Sequence, residues 1–335
     1  KNKNVKITKG ALTSQLKVVT KNTIEAKEEE KGVKKYDDIF FDIGTGKYIF
    51  TKGKSVFKHV KQNAFSMLPP HIAEVTLNRA PKVLAEYNPR TKEKRYTSDD
   101  DLECYNTFKP SKYVENRTKA YKGNIPHNID FLIKHLIKDE KTRSVLINNL
   151  ANHLQYGTSI HTGWIFSGIG GAGKSVFMDL VFKLFGSHNS QKSKLTNFTG
   201  DKVKGLPEKL IGYVDESADS KVMYEVVENL KTIIGNESYS SRALNVNEID
   251  VKNFTMFFFT VNSFGFKLSS DDRRMNIIEC NVKLAKVVDN IPNFLKDLDN
   301  EIQAFADYLL NYDVDRTLIT KIVDTEFRRE MITNN

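Results

Sequence analysis

Residues 164–175 read WIFSGIGGAGKS, a short apolar run that breaks into glycines and closes on a lysine and a serine. Gly168, Gly173, Lys174 and Ser175 satisfy the spacing G-x-x-x-x-G-K-[ST], in which small residues let successive backbone N–H groups turn inward around phosphate oxygens. Gly170, Gly171 and Gly173 permit backbone angles and close approaches that a side chain blocks, and Ala172 is the remaining small residue of the loop. Lys174 can neutralise β- and γ-phosphates, and the Ser175 hydroxyl can ligate Mg²⁺. A chance match is an event of roughly 1% in a chain this size at average residue usage. The loop is therefore read as a nucleotide site, with ATP and Mg²⁺ as the expected ligands.

A second group of chemically able residues lies downstream. The segment KLIGYVDES (209–217) is an apolar run that ends in Asp215 and Glu216. Asp215 suits the Mg²⁺ shell, and Glu216 suits a general base that polarises an attacking water. Adjacent acids at a strand end are equally often surface carboxylates. The segment NFTMFFFTVNSFGF (253–266) is nearly all apolar or β-branched, as a central parallel strand should be, and it ends at Asn262. An asparagine there is commonly a turn residue. At the carboxyl edge of a sheet its amide could orient a lytic water or sense a γ-phosphate. A small-molecule phosphotransferase would have to exclude that water, so Glu216 counts against one.

These residues need particular elements to hold them. TGWIFS (162–167) reads as a buried strand, and KSVFMDLVFKLFG (174–186) as an amphipathic helix stopped by Gly186. The phosphates would then sit at a helix N-terminus. Upstream, IDFLIKHLIKDEKTRSVLINNLANHLQYG (129–157) places apolar residues at helical spacing over two helices. YDDIFFDIGTGKYIF (36–50) carries strand-type residues on both sides of a Gly-Thr-Gly turn and reads as a β-hairpin. Residues 1 to about 35 are charged and poorly patterned, and a helical tail is expected over about 292–312.

Composition narrows the class. The chain has 335 residues, of which 39% are apolar, and contains no apolar run long enough to span a bilayer. The polar start KNKNVKITKG is no signal peptide, so a soluble protein of a reducing cytoplasm is expected. The chain lacks an initiator Met and reads as a portion of something larger. Cys104 and Cys280 form no CxxC pair, and His59, His71, His127, His135, His153, His161 and His188 show no metal-ligand spacing, so each histidine is expected to be structural. Asp37, Asp38 and Asp42, and Asp99 to Asp101, are expected on solvated loops. KRY (94–96) and FKPSKY (108–113) could stack on single-stranded bases, although ordinary β-domain residues are the default. A formal charge of +9 permits a polyanionic partner.

The order GIGGAGKS (168–175), YVDE (213–216), LKTIIGNESYSSRALNVNEIDV (230–251), TVN (260–262) and SDDRRMNIIEC (270–280) resembles the superfamily 3 helicases. Within that group it is most similar to the ATPase part of phage and plasmid primase-helicases and of the poxvirus primase-helicase. Composition and layout also resemble the carboxyl-terminal portion of a deep-sea vent phage primase-polymerase. The resemblance is specific over about residues 128–285.

The resemblance implies an α/β fold: a P-loop, ASCE/AAA+-like parallel-sheet ATPase core with a small α/β amino-terminal unit, a helical collar and carboxyl-terminal helices. The expected divisions are 1–120 for the accessory unit, 121–160 for the collar, 161–285 for the core and 286–335 for the helical tail. Gly168, Gly170, Gly171, Ala172, Gly173, Lys174, Ser175 and Asp215 would hold nucleotide and metal, Glu216 would be the base, and Asn262 the sensor. Leu230, Lys231, Ile233 and Gly235 match a pattern that leads into a DNA-contacting β-hairpin, here about Tyr239 to Lys252. Its tip, Leu244 to Glu248, reads LNVNE where Lys or His is usual, so Arg242 and Lys252, with Asn245 and Asn247, are the DNA candidates. Arg274, with Arg273 second, would reach a neighbouring subunit's ATP site; the plainer alternative pairs both arginines with Asp271 and Asp272 on an exposed loop. The implied activity is Mg²⁺-dependent ATP hydrolysis driving movement on DNA, most naturally single-stranded, in a hexameric ring, with a primase-polymerase domain linked outside this chain. The alternative is a DNA-binding ring ATPase that acts as a loading or processivity module without unwinding.

Overall fold

The structure, a computed structural model, describes residues 36–118, 121–193, 206, 208–215, 231, 233–241, 249–262 and 272–333. They fall into two compact units, one made of the described residues within 36–87 and 93–107, the other of those within 88–92 and 108–333.

In the first unit six strands form one mixed sheet: β1 (Asp38–Asp42), β2 (Lys47–Lys52), β3 (Ser55–His59), β4 (Lys82–Glu86), β5 (Arg95–Thr97) and β6 (Glu103–Asn106), ordered β3-β2-β1-β4-β6-β5. The expected hairpin is β1 and β2, paired antiparallel from Asp38–Thr51 to Asp42–Lys47. Strand alternation splits its apolar residues between two faces. Ile49 packs with Phe40, Val83 and Tyr105, whereas Tyr48 and Phe50 pack with Ala64 and Leu77 of helices α1 (Lys61–Ser66) and α2 (Pro70–Asn78). Asp42 departs from its expected place on a solvated loop. It is fully buried, and its carboxylate accepts the N–H groups of Gly44 and Ala85, each at 3.1 Å, and the Thr45 hydroxyl at 2.5 Å. A buried carboxylate satisfied by three donors is a structural anchor. The KRY stretch is likewise committed within its unit, because Arg95 pairs with Glu103 and lies over the Phe40 ring while the Tyr96 hydroxyl donates to Glu86.

The second unit is built around a parallel sheet of β7 (Gly163–Gly168), β8 (Ser190–Ser193), β9 (Ile211–Asp215), β12 (Met256–Val261) and β13 (Met275–Cys280), ordered β13-β7-β12-β9-β8. All four pairings are parallel. β7 and β12 are buried along their whole length, as central parallel strands covered on both faces must be. β12, the strand that leads to Asn262, lies between the glycine-loop strand β7 and the acid-bearing strand β9. A separate antiparallel ribbon pairs β10 (Ser238–Ser241) with β11 (Ile249–Lys252), in the register Ser238–Lys252 to Ser241–Ile249. The expected hairpin therefore exists as two strands, and its tip lies outside the described residues.

Helices cover the sheet. After α3 (Lys112–Glu115), the two helices expected over 129–157 are α4 (His127–Leu136) and α5 (Glu140–Tyr156). They are followed by α6 (Lys174–Phe185), α7 (Ile291–Leu310) and α8 (Glu326–Thr333). On one face Phe177 of α6 meets Phe166 and Phe258 at 5.3 and 6.3 Å between ring centres, and Phe182 meets Tyr213 edge-on at 6.0 Å. On the other face Ile165, Val214, Phe257, Phe259 and Ile277 pack with Ile233, Ile234, Phe327 and Met331. Glu301 of α7 caps α4, accepting the N–H groups of Asn128 and Ile129 at 3.2 and 3.0 Å. A carboxylate there satisfies donors that the helix leaves unpaired and complements its dipole.

Candidate active site

The glycine loop joins the carboxyl end of β7 to the first turn of α6. Gly168 has φ +140°, and a Cβ on it would stand 2.2 Å from the Cys280 carbonyl oxygen, so β13 itself excludes any other residue. Gly173 begins α6 with φ +98°, a conformation that disfavours L side chains. A Cβ on Gly170 or Gly171 would meet nothing within 4 Å, which leaves that face of the loop open as a cradle. The back of the loop is held: Leu284 donates its N–H to the Gly171 oxygen at 2.9 Å, and His135 Nε2 lies 3.1 Å from both the Ala172 and Val282 carbonyl oxygens.

Lys174 is buried to 6% exposure and donates from Nζ to the carbonyl oxygens of Gly168 and Ile169 at 2.7 and 2.8 Å. Burial pushes its pKa down, while the Asp215 carboxylate pulls the other way. Burial lifts the Cys280 thiol to about 12, so it stays protonated beside that ammonium. Ser175, in the first turn of α6, is exposed.

At the neighbouring strand ends a polar cluster stands on the α6 face. Thr260 pairs in register with Asp215 and donates its hydroxyl to Asp215 Oδ1 at 2.9 Å, and the Tyr213 hydroxyl lies 2.9 Å from Thr260 Oγ1. Lys192, on β8, pairs with Asp215 Oδ2 at 2.6 Å. Burial raises the Asp215 pKa, but the bonds from Lys192 and Thr260 outweigh it and hold the carboxyl below its ordinary range. Asp215 is thus ionised at neutral pH and only partly covered, as a metal-ligating carboxylate must be. Its separation from Lys174 by one strand follows from the insertion of β12.

The sheet therefore brings Gly168, Gly170, Gly171, Ala172, Gly173, Lys174, Ser175, Asp215 and Asn262 to one edge. Asn262 is exposed and stands one residue beyond the pairing of Val261 with Ser167. Glu216, Arg242, Asn245 and Asn247 lie outside the described residues. Lys252 is exposed at the foot of the β10–β11 ribbon.

Arg274 is elsewhere. It precedes β13 at the opposite edge of the sheet, where its carbonyl accepts the Gly163 N–H at 2.7 Å. Of the acids in the plainer alternative, Asp271 lies outside the described residues and Asp272 is not on an exposed loop. Asp272 is buried, its Oδ1 accepts the N–H groups of Arg274 and Met275 at 3.2 and 3.0 Å, and it forms ion pairs with Lys231 and Arg328 at 3.3 and 3.8 Å.

Three neighbours of the site escape sequence reading. Thr260 left a faint signal as a hydroxyl near the end of an otherwise apolar strand, and His135 as a polar member of an apolar helix face. Lys192 left none, because only β8–β9 pairing carries it to Asp215.

A family of unknown function, DUF5906, matches residues 166–274, from the glycine-loop strand to Arg274. The DNA Primase-polymerase of Nitratiruptor phage NrS-1 is 29% identical over 299 residues, 88% of this chain and 41% of that protein. The apo structure of the C-terminal region of NrS-1 superposes with a TM-score of 0.76 at 26% identity, and an A form of the same region with 0.77 at 25%. Each covers 88% of this chain and 71% of the other. The chain is similar to the C-terminal region of a phage primase-polymerase. It spans well under half the length of that phage protein. Among the described residues no helix is long and apolar enough to cross a membrane.

Proposed function

We propose that this chain is the ATP-dependent DNA helicase or translocase part of a phage-type replication protein, of the superfamily 3 kind, with ATP hydrolysed at subunit interfaces of a hexameric ring. The observation that carries the reading is the placement of Lys174 and Asp215 at one sheet edge, on strands separated by β12, with the open glycine loop between β7 and α6. A phosphate chain fits that loop, because the helix N-terminus and the Lys174 ammonium offer positive charge where Gly170 and Gly171 leave room. Lys174 would exchange its bonds to the Gly168 and Ile169 carbonyls for bonds to phosphate. Ser175 and Asp215 are the residues that would hold Mg²⁺, which when bound supplies charge neutralisation at the phosphates. Lys192 and Thr260 would aim Asp215, Asn262 stands where its amide could orient water, and Glu216, the next residue after Asp215, would take the proton from that water.

Similarity to a replication protein supports DNA as the partner, and the β10–β11 ribbon would be its contact. The deciding experiment sets ATPase beside strand displacement for the parent chain and Lys174→Ala. The reading expects DNA-dependent hydrolysis and unwinding in the parent, and loss of nucleotide binding and both activities in the variant. Hydrolysis without strand displacement would favour a loading or processivity ring, and absence of ATP binding by the parent would overturn the proposal.

A further inference from the structure

Asn253 stands where the β10–β11 ribbon ends and the chain turns into β12. Its side chain is buried and each arm of the amide is engaged. Nδ2 donates to the Ile233 and Asn236 carbonyl oxygens at 2.7 and 3.1 Å, and Oδ1 accepts the Thr255 N–H at 3.1 Å. The backbone N–H of Asn253 donates to the Glu237 oxygen at 2.7 Å. One side chain thus sews the foot of the ribbon to the short helical segment 233–235, using two donors and an acceptor that a carboxylate or hydroxyl of similar size does not supply together.

Arg274 rests on the same segment. A Cβ on Gly235 would lie 2.7 Å from Arg274 Nη2, 2.8 Å from Cζ and 2.9 Å from Nε, so the guanidinium occupies the space that any other residue at 235 would fill. The backbone is anchored there too, since Asp272 accepts the Arg274 N–H and pairs with Lys231, two residues before the segment. The segment therefore touches the ribbon through Asn253 and Arg274 through Gly235.

Resting on the reading of Arg274 as the arginine given to a neighbouring subunit, we infer that Asn253 is a positioning residue for Arg274, acting through the segment that ends in Gly235 and Asn236. Asn253 touches no reacting group. It fixes the surface against which the guanidinium lies, so a displacement of the ribbon's foot is passed to the arginine. A misplacement of about 1 Å in a catalytic group costs on the order of 100-fold in rate.

The test uses mixed assemblies of full-length variants, with subunit exchange shown independently. Asn253→Ala alone should bind ATP as the parent does and turn over roughly 100-fold more slowly. Mixed with Lys174→Ala, whose arginine is well seated, it should regain turnover; mixed with Arg274→Ala, which has the same kind of defect, it should not. A variant that is merely misfolded is rescued by neither. Gly235→Ala should give the same pattern without disturbing the helix, because Ala is favoured over Gly there and the flexible guanidinium is what must move; it decides the matter if Asn253→Ala does not fold. Parental turnover in both variants, or rescue by Arg274→Ala, overturns the inference alone, provided that Lys174→Ala and Arg274→Ala complement each other. If that reference pair fails to complement, the trans arginine falls, and this inference with it.

Discussion

Gly163 donates its N–H to the Arg274 carbonyl oxygen at 2.7 Å, which pins Arg274 to the amino end of the strand whose carboxyl end is Gly168. Because β7 and β13 run parallel, from Met275 beside Gly163 to Cys280 beside Gly168, Arg274 lies roughly 17 Å from the glycine loop of its own chain, at about 3.3 Å per strand residue. No side-chain rotation closes that gap. An Arg274 that serves catalysis must do so in a second subunit.

Arg274→Lys is the informative substitution. It keeps a cation but loses the planar fork that binds phosphate oxygens in pairs, and it no longer matches the surface at Gly235. Turnover should fall about 1,000-fold, with ATP affinity unchanged. Separate determination of kcat and nucleotide Kd checks this; parental kcat would assign Arg274 a structural role only.

The bond from Thr260 to Asp215 predicts a metal phenotype. Thr260→Val preserves shape but removes a hydrogen bond to a charged group, which is worth about 1.5 kcal/mol and therefore roughly tenfold in affinity. The Mg²⁺ concentration for half-maximal ATPase should rise by about that factor, with kcat at saturating Mg²⁺ little changed. Glu216→Gln should behave in the opposite way, binding ATP with Mg²⁺ normally and losing about 100-fold or more in turnover. Unaltered Mg²⁺ dependence in the first variant would separate Thr260 from metal binding.

What the sequence disclosed depended on how local each determinant is. The glycine loop, the strand before it and the helix after it are adjacent in the chain, and their pattern maps directly onto β7, the loop and α6. The run at 256–261, apolar but for Thr260, identified a doubly covered strand for the same reason. Non-local pairings were not legible. Asp272 sits in an SDDRR run that looks solvated, and only the meeting of residues 231 and 328 on it turns it into a buried anchor. Asp42 looked like one acid of a polar turn, yet Ala85, 43 positions away, supplies one of the donors that make it internal.

Two buried histidines give a pH dependence. His153 is fully buried, with Nδ1 3.0 Å from the Thr158 oxygen and Nε2 2.8 Å from the Leu210 oxygen; burial pushes its pKa below the ordinary 6.5, against those carbonyls. His135 is shifted the same way by burial and by Lys138. Below pH 6.5 the unfolded chain therefore takes up protons that the folded chain resists, so this stability is complete above 6.5 and is lost as the pH falls. The depressed carboxyls Asp139 and Asp215 contribute only nearer their ordinary value of 3.8 and leave that window clear. Melting temperature should fall between about pH 7.5 and about pH 5.5, and less steeply in His153→Gln, which cannot titrate. Equal slopes for parent and variant would exclude His153 as the source.

The ribbon is the proposed DNA contact, and its sequence constrains how it can act. A moving ring must hold every sequence alike, so binding should be directed to the phosphate backbone rather than to base edges. The segment LNVNE between the two strands has no cation, which leaves Arg242 and Lys252 to supply attraction, while Asn245 and Asn247 would hydrogen-bond sugar or phosphate oxygens. Lys252 is exposed at the ribbon's foot, opposite Ser238 and next to Asn253, and so lies away from the glycine loop in sequence and in sheet. Replacing Arg242 and Lys252 together with Ala should weaken single-stranded DNA binding about equally across sequences. The slope of log affinity against log salt should flatten by roughly 0.7 for each phosphate that the variant no longer neutralises. Hydrolysis without DNA should survive, because Lys174 and Asp215 are untouched. Unchanged affinity and salt slope in the double variant would remove the ribbon as the main DNA-binding element and turn attention to the basic residues of the amino-terminal part, Lys92 to Arg95 and Lys109 to Lys112.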